Sequence, residues 1–352
     1  KTRRYLDLIR NFHSWSWLLI YLYGASPAVC ESFLGGRSDH NLEPFVTGCG
    51  TLYSPYATAL RMGDLGYNSS AQKSLRICYN SLENYLKTLS DAILEPHSSY
   101  THLKGELDGE LMQLSDGLLQ IENEFYSTIR PKRSAASGET PLTALHQRGV
   151  EYIEVRCNDV SPFAPMGIDE TQMRFLDSFL IYCLTQPSPV CNEAVQDRQA
   201  LNLGLVVSRG REPGLELHTE SGTTPLVDWA TTLLTGIRQT AALLDAASGC
   251  EDHSAAVVLQ ESKLRDPAQL PSARVLREME EANISYSRLA MNYTEQWAGF
   301  FREQELSLET QEYFEQESRQ SLERQRDLEA SQDVKFTEYL GRYYEQYRAL
   351  TA

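Results

Sequence analysis

The feature that most restricts how this chain can fold is a change of pattern near Asp169. Residues 169–172 read DETQ, an Asp that can accept hydrogen bonds from free backbone amides and a Gln three residues on that can return the bond. Behind that start, Met173, Leu176, Phe179, Leu180, Cys183 and Leu184 recur at helical spacing until Pro187 and Pro189 stop the run. A second helix is predicted from about Pro225 through Trp229, Leu233, Ile237 and Leu244 to Gly249, and a third from Ser272 to about Arg302. Residues 303–333 are mostly Glu, Gln, Arg and Ser, with Leu306, Tyr313, Phe314, Leu322 and Leu328 spaced for one narrow apolar face, the pattern of a solvated surface helix. The second half is therefore read as helical, and the best strand candidates lie before it.

The first half mixes helix with short extended pieces. Residues 14–30 carry no charge and include Trp15, Trp17, Leu18, Leu19, Ile20 and Leu22. Gly24, Ser26 and Pro27 interrupt them well short of the roughly 20 apolar residues a membrane span requires, and Asp7 and Arg10 sit upstream. A buried helix ending at Gly24 is expected, with no membrane role. At 352 residues the chain is either two domains or one large one, and its 41% hydrophobic and 23% charged content is that of a globular protein. With 32 Lys and Arg against 48 Asp and Glu the net charge is −16, which repels a phosphate backbone and argues against nucleic acid as a partner. Seven cysteines without a CxxC pair argue against a disulfide framework and suit a reducing cytoplasm. Residue 1 is Lys, not Met, and the chain opens inside a helical pattern, so it is expected to be a piece of a longer protein.

Three stretches carry polar residues in patterns that suggest chemistry. Residues 117–126, GLLQIENEFY, read as a strand with Gln120, Glu122, Glu124 and Tyr126 on one face and Ile121, Asn123 and Phe125 on the other. The following Arg130, Lys132 and Arg133 are expected in a basic loop, with residues 134–141 flexible. Residues 149–157, GVEYIEVRC, read as a second strand with Tyr152, Glu154 and Arg156 on one face and Cys157 in the core. A Glu and an Arg two apart can form a surface pair, or can share the handling of a metal-bound phosphate, the carboxylate holding a hard cation such as Mg2+ and the guanidinium taking a phosphate oxygen. Residues 51–67, TLYSPYATALRMGDLGY, surround one Arg61 with Tyr53, Tyr56 and Tyr67, either a packed aromatic cluster or a receptor for a small carboxylate.

Together with GASPAVCESFL at 24–34, LQIENEFYSTIRPKR at 119–133, RGVEYIEVR at 148–156 and SPFAPMGID at 161–169, these blocks closely resemble the proteobacterial type of glutamate–cysteine ligase. The likeness is collinear over nearly the whole chain and strongest before Asp169. It implies an α+β, glutamine-synthetase-like fold with an antiparallel sheet funnel, ATP and Mg2+ (or Mn2+) as cofactors, and glutamate and cysteine as substrates. Such enzymes phosphorylate the glutamate side-chain carboxylate, and the cysteine amine attacks the acyl phosphate. By position in the matching motifs, Glu154 would be a metal ligand, Arg156 would stabilise the transferring phosphate, Arg61 would hold a substrate carboxylate, and Tyr67 and Tyr126 would line the cysteine pocket. Glu122, Asn123, Arg130, Lys132 and Arg133 are kept as nucleotide-side candidates from the expected strand and basic loop. The resemblance also implies an earlier segment bearing further acidic metal ligands. The expectation is one catalytic domain, sheet-bearing over 1–168 and mainly helical over 169–352, inactive or nearly so without that segment. Another carboxylate–amine ligase of this fold, or a helical interaction fragment, is the alternative.

Overall fold

The computed structural model describes residues 1–46, 49–66, 72, 75–107 and 110–351. The chain begins with α1 (Thr2–Tyr23), followed by β1 (Ala28–Cys30), β2 (Glu43–Pro44), β3 (Thr51–Tyr53) and α2 (Leu82–Leu94). The short pair β4 (Glu106–Leu107) and β5 (Glu110–Leu111) leads to β6 (Ile129–Lys132), α3 (Pro141–Arg148) and β7 (Tyr152–Val155). Then come α4 (Glu170–Thr185), α5 (Glu193–Arg209), the strands β8 (Glu216–His218) and β9 (Thr223–Pro225), α6 (Leu226–Ser248) and α7 (Asp252–Arg265). The chain closes with α8 (Pro271–Ala282), α9 (Tyr286–Arg302), α10 (Leu308–Ala330) and α11 (Phe336–Arg348).

Helix α1 is the central element because its uncharged half has nowhere exposed to go. Trp17, Leu18, Leu19, Ile20, Tyr21 and Leu22 are all buried, and the helix packs on α4, α5 and β6. Phe12 meets Phe179 edge-on with ring centroids 5.7 Å apart, and Trp17 meets Trp229 at 5.2 Å. Each such side chain contributes on the order of 1.5–3 kcal/mol through burial. Among the described residues no helix is long and apolar enough to cross a membrane. The expected end at Gly24 is observed, and one hydrophobic cluster runs from Leu6 on α1 to Tyr347 on α11.

The sheets are small and antiparallel: β1-β3-β2, β4-β5, β6-β7 and β8-β9. Four expectations are corrected. Residues 117–126 are not a strand; Glu122–Glu124 forms a single 3-10 turn instead. Gln120 N donates to Glu124 Oε2 at 2.7 Å, and this local bond competes with the ladder a strand would need. The basic run is no loop, since Ile129–Lys132 is β6, paired with β7 in the register Arg130 opposite Glu154 and Lys132 opposite Tyr152. Residues 134–140 are held rather than loose: Ala136 N donates to Glu139 Oε2 at 2.8 Å, and Arg148 binds both that carboxylate and Ser134 O. The third helix is two helices, broken where Asn283 adopts a left-handed φ of 50° and Ser285 caps α9 through Arg288 N.

Elsewhere the helical reading matches the structure, with differences of detail. Asp169 caps α4 through Gln172 N at 2.7 Å, while the Gln172 side chain turns inward, buried and with its Nε2 lacking a hydrogen-bond partner. Met173 is 48% exposed, and the buried face is Gln172, Phe175, Ser178, Phe179 and Cys183. Helix α6 ends at a left-handed Gly249 as expected. Helix α10 buries none of its residues, the solvated helix read from its composition.

Candidate functional site

The β6-β7 pair builds the first part of the site. Residues directly opposite in an antiparallel pair share a face, so Arg130 and Lys132 stand on the side that carries Tyr152 and Glu154. Arg156 continues that face, its N–H bonded to Thr128 O at 2.8 Å just beyond the named strand. The other face holds Ile129, Ile153 and Val155 against the core, and Cys157 is buried as expected, its thiol pushed up to about 12 by burial. The face that alternation predicts for Tyr152, Glu154 and Arg156 is therefore observed, joined by Arg130 and Lys132 from the neighbouring strand.

Glu154 Oε2 is buried and accepts no hydrogen bond, while Lys132 Nζ and Arg156 Nη1 each lie 3.9 Å from it. Those separations are too long for hydrogen bonds, so the oxygen keeps its lone pairs for a hard cation, which prefers carboxylate oxygen at about 2.0–2.1 Å when it is Mg2+. One carboxylate with phosphates and waters is a usual Mg2+ donor set, so Glu154 fits that ion as a single ligand. Arg133 lies at the margin, with Nη1 on Arg148 O at 3.2 Å and Nε 3.6 Å from Glu151.

Glu122 and Asn123 brace this face from outside it. Glu122 is 7% exposed, and its carboxylate accepts from Leu142 N at 3.2 Å and from the Tyr347 hydroxyl on α11. Burial raises its pKa, opposed by the Tyr347 hydrogen bond. Asn123 offers its backbone carbonyl to Arg130 Nη2 at 3.0 Å, and Arg130 is itself buried. Tyr344 on α11 adds a bond from its hydroxyl to Gln120 O at 2.6 Å.

The second part of the site is centred on Arg61. Its Nε donates to Asp159 Oδ1 at 2.7 Å and its Nη2 to Asn158 O at 2.8 Å, so it is linked to the stretch that begins with Glu154 and Arg156. Of the three tyrosines expected around Arg61, Tyr53 packs edge-on against Phe45, Tyr56 is exposed, and Tyr67 lies outside the described residues. Tyr126, 43% exposed, lines a cavity of about 330 Å³ together with His13, Met62, Gln72, Tyr79 and Thr128. His13 Nε2 is sealed from solvent without a hydrogen-bond partner, and burial pushes the ring down to about 4.

Sequence reasoning missed Asp159 and Tyr347. Asp159 is the only acidic residue between Glu154 and Asp169, a weak signal that gains meaning only once Arg61 is beside it. Tyr347 gave no signal, since its partner Glu122 is 225 positions away in the chain. One further cluster, Asp245, Cys250 and His253, brings three possible metal-ligand atoms within 4.8 Å. Asp245 is already used there: it accepts from the N–H groups of His253 and Ser254 at 2.9 Å each, capping α7, and takes His253 Nδ1 at 3.0 Å.

The fold and site define a helix-rich α+β protein with a cluster of charged residues on one face of the β6-β7 pair and an arginine, Arg61, bonded to the segment that follows β7. The family model for glutamate-cysteine ligase matches residues 1–206, and the chain belongs to that family. It is 46% identical over 339 residues to the glutamate–cysteine ligase of Pseudomonas paraeruginosa, covering 96% of this chain and 64% of that protein. With the enzyme of the same name from Pseudomonas putida it shares 45% over 348 residues, covering 99% and 66%. The crystal structure of the Francisella tularensis glutamate–cysteine ligase in complex with AMP superposes with a TM-score of 0.90 at 33% identity, over 99% of this chain and 68% of that one. A bifunctional glutathione synthetase from Pasteurella multocida, 19% identical with a TM-score of 0.58, shares the fold. The chain thus spans about two thirds of the length of the curated relatives it matches.

Proposed function

We propose that the protein containing this chain joins glutamate to cysteine at the expense of ATP, by way of a γ-glutamyl phosphate, in the cytoplasm. The observation that carries the reading is the β6-β7 face, where an acceptor-ready Glu154 oxygen stands between Lys132 and Arg156 at 3.9 Å each. Family membership and the AMP bound by the Francisella protein support a nucleotide reaction. An acyl phosphate forms on the substrate, so no protein nucleophile is required, and catalysis depends on positioning and on positive charge around the transferring group.

In this reading Arg156 stabilises the transferring phosphoryl oxygens through its planar fork, and Lys132 takes a neighbouring phosphate as a point charge. Glu154 holds Mg2+, which when bound offsets charge on the phosphates. Arg61 binds a substrate carboxylate, and Tyr126 lines the cysteine pocket. Glu122, Asn123 and Arg130 hold the nucleotide side of the face in place, and Arg133 stands at its edge. The small sheets are parts of a glutamine-synthetase-like funnel, with 1–168 supplying its sheet-bearing part and 169–352 its helical support within one catalytic domain.

The test is Arg156→Ala in the full-length protein, assayed for ADP release that depends on glutamate and cysteine. A fall in kcat of about 10²–10³ is expected, the usual loss when one donor to a developing anion is removed. Unchanged turnover contradicts the role. Replacing cysteine with 2-aminobutyrate or other amines separates this reading from another carboxylate–amine ligase.

A further inference from the structure

We infer that Asp159 is the positioning residue for Arg61, fixing the guanidinium in the plane and direction in which it takes the carboxylate of an amino-acid substrate. This rests on the role proposed for Arg61 above. The Asp159 side chain is 3% exposed and that of Arg61 37%, so a buried carboxylate holds a partly exposed cation. Asp159 is anchored independently of the arginine. Its Oδ2 accepts from Ala25 N at 2.8 Å and from Ser26 Oγ at 2.7 Å, which leaves Oδ1 for Arg61 Nε at 2.7 Å. The carboxylate therefore has a place without the Arg61 side chain, and it is one of the groups that set where the guanidinium lies.

The bonds fix a plane as well as a position. Nε and Nη2 form the side-on edge of the guanidinium, and they engage Asp159 Oδ1 and Asn158 O respectively. With both bonds made the guanidinium has one plane and one direction, and a planar fork held in this way is the geometry that recognises a carboxylate bidentately. Holding a long side chain in this way before the substrate arrives removes an ordering cost that binding would otherwise carry.

The surrounding backbone locks the same arrangement. Ser26 N donates to Thr58 O at 3.2 Å, Leu60 N to Ser26 O at 2.7 Å, and Arg61 N to Ser26 Oγ at 3.3 Å. Three segments far apart in sequence, the end of α1, residues 58–61 and residues 158–159, thus meet at one carboxylate. Asp159 offsets part of the Arg61 charge, so its contribution lies in direction rather than in added attraction. A change at Asp159 accordingly appears in the recognition of one amino-acid substrate and not in ATP binding.

The experiment is steady-state kinetics on the full-length ligase, varying glutamate, cysteine and ATP separately, for Arg61→Ala, Asp159→Asn and the double variant. Arg61→Ala and Asp159→Asn are expected to raise the KM of the same amino-acid substrate, each by about tenfold or more, with the KM for ATP within about twofold. The double variant is expected to be no worse than Arg61→Ala alone, because Asp159 acts through Arg61. Multiplying effects in the double variant, or an unchanged KM in Asp159→Asn beside a raised one in Arg61→Ala, overturn the inference while leaving the Arg61 reading intact. An unchanged KM in Arg61→Ala removes that reading and the inference with it. Asp159→Glu, which keeps the charge and shifts it by one methylene, is the second variant if the Asn form does not fold. It too is expected to raise that KM, and no change in it overturns the inference.

Discussion

At Gly24 the backbone leaves no space for a side chain. A Cβ there would stand 2.6 Å from Ile20 O and 2.7 Å from Thr58 O, both backbone atoms that cannot swing aside. Gly24→Ala is therefore expected to cost about 1–3 kcal/mol, read as a lowered denaturation midpoint, because the Asp159 network begins at the next residue. His13 gives a second residue-scale prediction. Its folded pKa is near 4 against 6.5 for an unburied ring, so between those values the unfolded chain binds more protons and stability rises with pH. The contribution is complete above about pH 6.5 and is lost as pH falls toward 4, up to about 3 kcal/mol. Urea midpoints at about pH 4.5 and 7.5 should differ less in His13→Gln than in the unaltered chain, and an equal difference would contradict the burial account. At this scale the sequence was legible where chemistry follows alternation: Glu154 and Arg156 share a face as their spacing requires. It was silent where chemistry depends on distant partners, as at Asp159 and Tyr347.

Among the elements, α1 and α6 were read correctly because apolar spacing and a terminal glycine specify a helix almost without tertiary help. Residues 117–126 misled because alternation is also satisfied by a turn whose carboxylate bends inward to α3 and α11. The break at Asn283 was missed because the apolar stripe resumes beyond it. The two helices near the C-terminus make opposite predictions. In α10, which buries nothing, Leu322→Gln should leave stability within about 0.5 kcal/mol by chemical denaturation. In α11, Tyr347→Phe removes a donor from buried Glu122 and should cost about 1–3 kcal/mol, much of it regained with Glu122→Gln also present. An unchanged midpoint in Tyr347→Phe, which keeps the ring and loses only the hydroxyl, would show that Tyr347 matters only as packing.

Across the whole molecule, the net charge of −16 and the proposed phosphate chemistry are reconciled by concentration. Arg130, Lys132 and Arg156 share one small face, so in the proposed reading a polyphosphate would meet positive charge there although the chain as a whole repels it. The funnel implied by the resemblance was not legible as such, since the strands that are described are short and pair in twos and threes. The family was legible because five motif blocks lie in order, and the structure joins parts of four of them: residues 25–26 and Arg61 meet at Asp159, while residues 123–132 and 152–156 meet in and beside the β6-β7 pair. The measurement that tests the central claim most directly is ADP release by the full-length protein with ATP, Mg2+, glutamate and cysteine, compared with Arg156→Ala. The account predicts release that requires both amino acids and falls by about 10²–10³ in the variant. Release that ignores either amino acid, or that survives loss of Arg156, would contradict it.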